Sequence, residues 1–232
     1  MINILFSPKW FYGKDILIDV VSIIVLVMIS FVTFRFYRLN KKKKQHLYFS
    51  LASALLLLSF IFKILTNFTL YEHVTTTKQI GFFTLTFHTI HYSDTLFLVG
   101  TILYRLLTLL GFYLLFSIYY KEQPKPIYLL MFFFIFISTY FTSQTYYIFH
   151  LAALLFLIFI TKKYYANYLK TKDRPAKLIF WSFGIILLSQ LIFIFIGLTK
   201  ILYVIAEVTQ LLGYALLLVS FMMVLYYGKK KK

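Results

Sequence analysis

Ile16-Leu-Ile-Asp-Val-Val-Ser-Ile-Ile-Val-Leu-Val-Met-Ile-Ser-Phe-Val-Thr-Phe-Arg-Phe36 is followed at once by Arg38 and Lys41-Lys-Lys-Lys44. About twenty apolar residues coiled as an α-helix cross the hydrocarbon core of a bilayer. The block of cations behind them marks the point where the chain leaves the membrane. The same unit recurs along the chain, and the predicted spans are about 16–36, 47–69, 95–119, 127–143, 146–161, 178–198 and 202–227. The expected fold class is therefore all-α. The expected architecture is a polytopic membrane protein, a seven-transmembrane-helix bundle forming a single domain over 1–232.

Composition points the same way. Of the 232 residues 61% are apolar and only 13% charged, with a formal net charge of +17. A soluble domain is nearer one-quarter charged. The longest polar stretches, around 72–94 and 162–177, are too short to form a soluble domain. Absence of cysteine excludes disulfides, thiol catalysis and cysteine-ligated metal. Met1–Asp15 lacks the basic start and cleavage site of a secretory signal, so none is expected.

The cations set the expected orientation. Eighteen of the 24 Lys and Arg residues fall in four segments on one side: Arg35, Arg38 and Lys41–Lys44; Lys121 and Lys125; Lys162–Lys177; and Lys229–Lys232. Basic loops stay cytoplasmic, so the N-terminus is predicted outside and the C-terminus inside, with Trp10, Phe11, Tyr12, Tyr146 and Tyr147 at the outer aromatic belt. The placement of the charge reads as a topology signal with anionic lipid as a secondary partner, and not as a nucleic-acid surface. In the outer loop 72–94, Val74–Thr77 and Phe82–Phe87 alternate in part around Lys78–Gly81. This pattern predicts a short β-hairpin, with an irregular loop as the alternative.

Two stretches repeat. Ala54-Leu-Leu-Leu-Leu-Ser59 returns as Gly184-Ile-Ile-Leu-Leu-Ser189, and Leu109-Leu-Gly111-Phe112 as Leu211-Leu-Gly213-Tyr214. They predict a 3+1+3 internal duplication in which helix 4 is the connector, with Gly111 and Gly213 at close helix contacts.

Ionisable groups inside a membrane are functional candidates by default. Counting about twenty residues from each basic edge puts Asp19, Lys63, Asp94 and Glu207 near the outer edge. Arg105, His150, Gln190 and Gln210 fall in the outer half or near mid-depth. The inner halves hold no ionisable group. The candidate ligand-binding or ion-pair cluster is Lys63, Asp94, Arg105, Gln190, Glu207 and Gln210. A purely structural alternative has Lys63 and Arg105 neutralised by Asp94 and Glu207.

His91-Tyr92-Ser93-Asp94-Thr95-Leu96-Phe97 resembles the Arg-Tyr-x-Asp-x-Leu-Phe pattern of microbial rhodopsins. Glu207-Val208-Thr209-Gln210-Leu211-Leu212-Gly213-Tyr214 resembles their helix-7 stretch Asp-Val-x-x-Lys-x-Gly-Phe. The resemblance implies a seven-helix scaffold with Asp94 and Glu207 at the two counterion-like positions. It also implies a departure: Leu211 occupies the place of the retinal-bearing lysine, so no retinal and no other cofactor is expected. Lys63 could supply the positive charge between the two acids, or in principle carry an aldehyde, since desolvated lysine amines are nucleophilic.

His88 and His91, with Asp94 three residues on, share a helical face and are weak metal candidates, solvated loop histidines being the commoner case. No phosphate loop, GxSxG or HExxH occurs, and the chain is not read as an enzyme. Asn67-Phe68-Thr69 has the form of a glycosylation sequon, and Asp173-Arg174-Pro175 that of a turn before helix 6.

These readings combine into one expectation: a retinal-free, rhodopsin-like receptor or sensor of the cell membrane, binding a small ligand, lipid or ion in an outer-half polar cavity. The expected partners are the bilayer, a cytoplasmic or membrane signalling protein on the basic face, and a second copy in a homo-oligomer. A small-solute or ion transporter is the first alternative. A structural subunit of a membrane complex is the second.

Overall fold

The computed structural model describes residues 8–11, 13–42, 44–71, 77–80, 83–86, 93–119, 125–141 and 145–230, with side chains left aside at 9, 67–71, 77–80, 83–86, 93–96, 125–126 and 225–230. Seven α-helices occur among them: α1 Lys14–Leu39, α2 Lys44–Tyr71, α3 Ser93–Ser117, α4 Lys125–Phe141, α5 Tyr147–Thr171, α6 Arg174–Ile194 and α7 Ile201–Lys230. All but α4 are long and apolar enough to cross a membrane. The 17 residues of α4 rise about 25 Å, short of the ~30 Å hydrocarbon core.

Leu17, Phe31, Leu51, Leu129, Phe133, Phe136, Tyr140 and Leu212 are among many large side chains pointing outward. Water does not tolerate so much contiguous apolar surface, whereas lipid does. The chain is a helical membrane protein.

Several boundaries differ from expectation, and the reasons are local. The predicted span 146–161 is the first part of a longer helix, because Lys162–Thr171 contains no helix breaker. Tyr164 lies in that extension, buried and stacked on Phe183 with centroids 4.8 Å apart. The chain then turns at Lys172, in the left-handed region with its N–H bonded to the Tyr168 carbonyl at 2.8 Å. Pro175 sits in the first turn of α6, where its missing N–H costs no hydrogen bond. The predicted span 178–198 begins and ends about a turn too late. Tyr146 Oη closes the far end of α6, donating to the Ile194 carbonyl and accepting from the Gly197 N–H, both at 3.1 Å.

In the 72–94 region, Thr77–Ile80 (β1) pairs antiparallel with Phe83–Thr86 (β2), Thr77 opposite Thr86 and Ile80 opposite Phe83. Lys78–Ile80, expected in the turn, therefore belongs to the first strand, and only 81–82 lie between the strands. Residues 72–76, 81–82 and 87–92, with His88 and His91 among them, lie outside the described residues.

Six helices form a ring. α1 packs on α2 and α7, α2 on α3, α3 on α5, α5 on α6, and α6 on α7, while α4 lies outside against α3 and α5. Two contacts in the ring are closely alike. A Cβ on Gly111 would come within 2.9 Å of Leu56 Cγ and 3.2 Å of the Ala52 carbonyl. A Cβ on Gly213 would come within 2.5 Å of Ile186 Cγ1 and 3.2 Å of the Ser182 carbonyl. Ser59 and Ser189, at matching places on α2 and α6, each donate to the carbonyl three residues earlier, Leu56 and Ile186, at 2.6 and 2.7 Å.

Towards the basic end the interior is aromatic. Phe49 packs on Phe221, Phe60 on Tyr214, and Tyr113 and Phe116 on Phe156, edge to face at 5.0–6.2 Å between centroids. Tyr214 Oη and Thr161 Oγ1 are buried without a partner among the described residues, while several other buried hydroxyls there bond to backbone carbonyls. Thr33, Ser53 and Ser182 do so within their own helices, and Ser30 and Ser50 tie α1 to α2 reciprocally.

Candidate functional site

Lys63 lies two turns before the end of α2, Asp19 one and a half turns into α1, and Glu207 about as far into α7. Because α2 runs antiparallel to both neighbours, these three positions meet at one level. Lys63 Nζ donates to Asp19 Oδ1 at 2.8 Å and to Glu207 Oε1 at 2.6 Å. Asp19 is 0% exposed and Glu207 1%. Two carboxylates thus share one ammonium inside the bundle, 5.5 Å from the centroid of the Phe60 ring. Asp19 Oδ2 is buried with no partner. An isolated buried charge costs several kcal/mol, so each acid depends on Lys63 for its place. An amine engaged by two carboxylates is also a poor nucleophile, which removes the basis for an aldehyde on Lys63.

Asp19 is the residue that the expected cluster lacked. Its depth was legible, grouped as it was with Lys63 and Glu207. Its direction was not, because a single span does not reveal which face of α1 turns inward. Asp94, expected beside Lys63, stands in the first turn of α3. Gly100 of α3 faces Thr66 of α2, and Lys63 lies one turn beyond Thr66 towards the basic end. The Asp94 backbone is therefore about 13 Å along the axis from the level of Lys63. The carboxylate partner to Glu207 is Asp19.

A second polar group lies across the ring at a similar depth. His150, one turn into α5, bonds through Nδ1 to Gln190 Oε1 of α6 at 2.8 Å. Its ring stacks on Phe193 at 4.7 Å and meets Phe149 edge-on at 4.9 Å. Phe149 in turn contacts Tyr104 of α3 at 5.6 Å, which brings the Tyr104–Arg105 turn against the start of α5. The charges of Arg105 and Lys63 both act on His150, so the two groups belong to one polar layer. Tyr104 and Tyr203 stand within electrostatic reach of Lys63. Gln210 is buried about one turn below Glu207. Leu211, at the lysine position of the rhodopsin pattern, is half-buried.

Of the six expected residues, Lys63 and Glu207 are in direct contact, and Gln190 pairs with His150. Arg105 and Gln210 lie in the same layer without joining the ion pair. Arg105 forms no ion pair and no hydrogen bond among the described residues.

An aromatic chain runs over the same end: Phe11 on Tyr203 at 6.4 Å, Tyr203 on Phe193 at 6.1 Å, then Phe193 on His150. It links the short 3₁₀ turn Lys9–Phe11 to α7, α6 and α5. A separate groove of about 520 Å³ lies between α4 and α5, lined by Phe134, Leu151, Leu155, Ile158 and other apolar residues with Ser138. It is a lipid-type surface with no chemistry of its own. Comparison with protein-family profiles, curated proteins and solved structures returns no match for this chain.

Proposed function

We propose that this protein is a membrane receptor or sensor whose small ligand binds in the polar layer of α1, α2, α3, α5, α6 and α7, reached from the outer, N-terminal end. The observation that carries the reading is the one-sidedness of the bundle. Asp19, Lys63, Arg105, His150, Gln190, Glu207 and Gln210 lie towards one end, over a packed aromatic interior that holds no ion pair among the described residues and whose Thr33, Ser53 and Ser182 hydroxyls bond to nearby backbone. A pump or carrier ordinarily has polar relays on both sides of the midplane. A binding layer above a sealed base fits ligand detection, with the signal passing to a partner on the basic, cytoplasmic face.

The rhodopsin-like reading of the scaffold belongs to this proposal. It rests on the helix-3 and helix-7 stretches alone, and the acid that joins Glu207 on Lys63 is Asp19 of α1 rather than Asp94 of α3, which the resemblance puts at a counterion-like position. The 3+1+3 duplication also belongs here. The likeness of the Gly111 and Gly213 contacts, and of the Ser59 and Ser189 hydrogen bonds, supports it. That likeness also favours the second reading, a small-solute or ion transporter, since repeat-built carriers bind at the repeat interface.

Binding and uptake separate the readings. Purified protein is screened against polar solutes by thermal shift, and sealed proteoliposomes are assayed for uptake of each hit. Binding that Glu207→Gln alters without loss of insertion, with no uptake, is the expected result. Uptake supports the transporter. Absence of any hit, with equal unfolding of Glu207→Gln and Lys63→Met, leaves a structural subunit.

A further inference from the structure

The charges of the Asp19–Lys63–Glu207 group do not balance. Two carboxyls meet one ammonium, at 2.8 and 2.6 Å, and the three residues come from three helices. Asp19 and Glu207 are sealed inside the bundle, and 11% of the Lys63 side chain is exposed. The surroundings add no second cation in contact. On α1, Asp15 lies one turn before Asp19 on the same helical face, is itself buried, and acts electrostatically on Asp19. On α7, Tyr203 lies one turn before Glu207, and Tyr104 of α3 stands within reach of Lys63. Both are phenols, not cations. Arg105 of α3 joins neither acid among the described residues, and His150 of α5 feels the Lys63 charge from across the ring. Lys14 of α1 is exposed, over the Trp10 ring.

The imbalance has a definite place. Asp19 Oδ1 accepts from Lys63, whereas Oδ2 is buried with no hydrogen-bond partner among the described residues. No atom of Glu207 is orphaned in this way, and Glu207 holds the ammonium at the shorter distance. A carboxylate oxygen left ionised and alone in an apolar interior costs far more than a neutral O–H in the same place, so such a group takes up a proton. One proton on Oδ2 makes the group neutral: one carboxylic acid, one carboxylate and one ammonium. A hard metal cation would instead need several oxygens converging on Oδ2. No group of three metal-ligating side chains occurs among the described residues.

We propose that Asp19 Oδ2 is a proton-binding site, where the folded bundle holds one exchangeable proton between α1, α2 and α7. The proton comes from solvent and returns to it, forming and breaking the single Oδ2–H bond. With it bound, Lys63 and Glu207 are a matched pair beside a neutral acid. Without it, the acids of α1 and α7 repel across Lys63. The Asp15 carboxyl, one turn nearer the start of α1, is the next acceptor towards that end of the bundle. The site stands whether or not a larger solute binds in the polar layer.

Infrared spectra of the full chain in phosphatidylcholine vesicles, titrated from acidic to alkaline pH, read the site through the carbonyl stretch of a protonated carboxyl. The expected band persists at neutral pH, where exposed carboxyls are ionised, shifts when aspartate carboxyls carry carbon-13, and vanishes in Asp19→Asn. The combined variant Asp15→Asn, Asp94→Asn and Asp173→Asn leaves Asp19 as the only aspartate, so the label reads that carboxyl without altering it. This variant is expected to keep the band. Stability gives a second reading. A carboxyl that is protonated in the fold and ionised in the unfolded chain makes folding take up one proton. From the ordinary carboxylate range up to the pH at which the band is lost, the unfolding constant in bicelles is expected to rise about tenfold per pH unit more steeply than in Asp19→Asn. A parent protein with no such band at neutral pH, or a band that ignores the aspartate label or survives in folded Asp19→Asn, would overturn the site. A titration midpoint that moves when sodium replaces choline would assign Oδ2 to a metal cation and overturn it equally. Either result leaves the receptor reading to its own test of solute binding.

Discussion

Lys63 carries more of the architecture than any other side chain, because it is the shared partner of acids on two other helices. Lys63→Met would strand Asp19 and Glu207 together in a buried site. Breaking a buried charge pair from one side costs about 3–5 kcal/mol, so this variant is expected to lose that much stability or fail to fold. Asp19→Asn keeps the shape, removes the surplus negative charge and leaves Lys63 paired with Glu207. Its expected cost is within about 1 kcal/mol. Denaturation of both variants in bicelles checks the ranking, and comparable losses from the two would show that the surplus charge is compensated elsewhere. At this scale the residue types and their depth were readable from sequence, and the pairing was not. Asp19, Asp94 and Glu207 are equivalent candidates until helix rotation and the stagger of α3 against α2 are known.

Helix contacts decide which glycines matter. The Cβ site of Gly213 meets Ile186 Cγ1 at 2.5 Å and the Ile186 backbone nitrogen at 3.1 Å, whereas that of Gly184 meets nothing within 4 Å. Gly213→Ala is therefore expected to push α6 and α7 apart at a cost of about 1–3 kcal/mol. Gly184→Ala is expected to be neutral, or to stabilise by up to ~1 kcal/mol through helix propensity. Thermal unfolding midpoints of the two variants test the contrast, and equal effects would mean that the α6–α7 contact yields without cost. The sequence repeat singled out Gly111 and Gly213, because small residues at recurring positions mark close approach. It left the ends of α5 and α6 misplaced. A hydropathy window stops where lysines begin, but a helix continues until a capping residue or proline ends it, here at Lys172 and Pro175.

The bundle as a whole is predicted to sit with its N-terminal end outside. A chain without cysteine makes the labelling experiment clean. In intact cells a membrane-impermeant maleimide is expected to modify Lys200→Cys, in the turn between α6 and α7, and to reach Lys172→Cys, between α5 and α6, only after permeabilisation. The reverse pattern would invert the bundle and place the polar layer on the cytoplasmic side, ending the case for an extracellular ligand.

From its order of residues alone this protein is a helical membrane protein, and the same order predicts most of its cations on one side and its intramembrane polar groups towards the other. Length, hydropathy and charge are additive along a chain, so they survive without knowledge of packing. Tertiary structure alone decided that Asp19 joins Lys63 and Glu207, that Gln190 orients His150, and that Arg105 stays outside the ion pair. Those outcomes depend on how each helix rotates about its axis and how far it slides against its neighbours. Both are set by side chains meeting across helices, such as Gly111 on Leu56 and Gly213 on Ile186, and not by the pattern within any one of them.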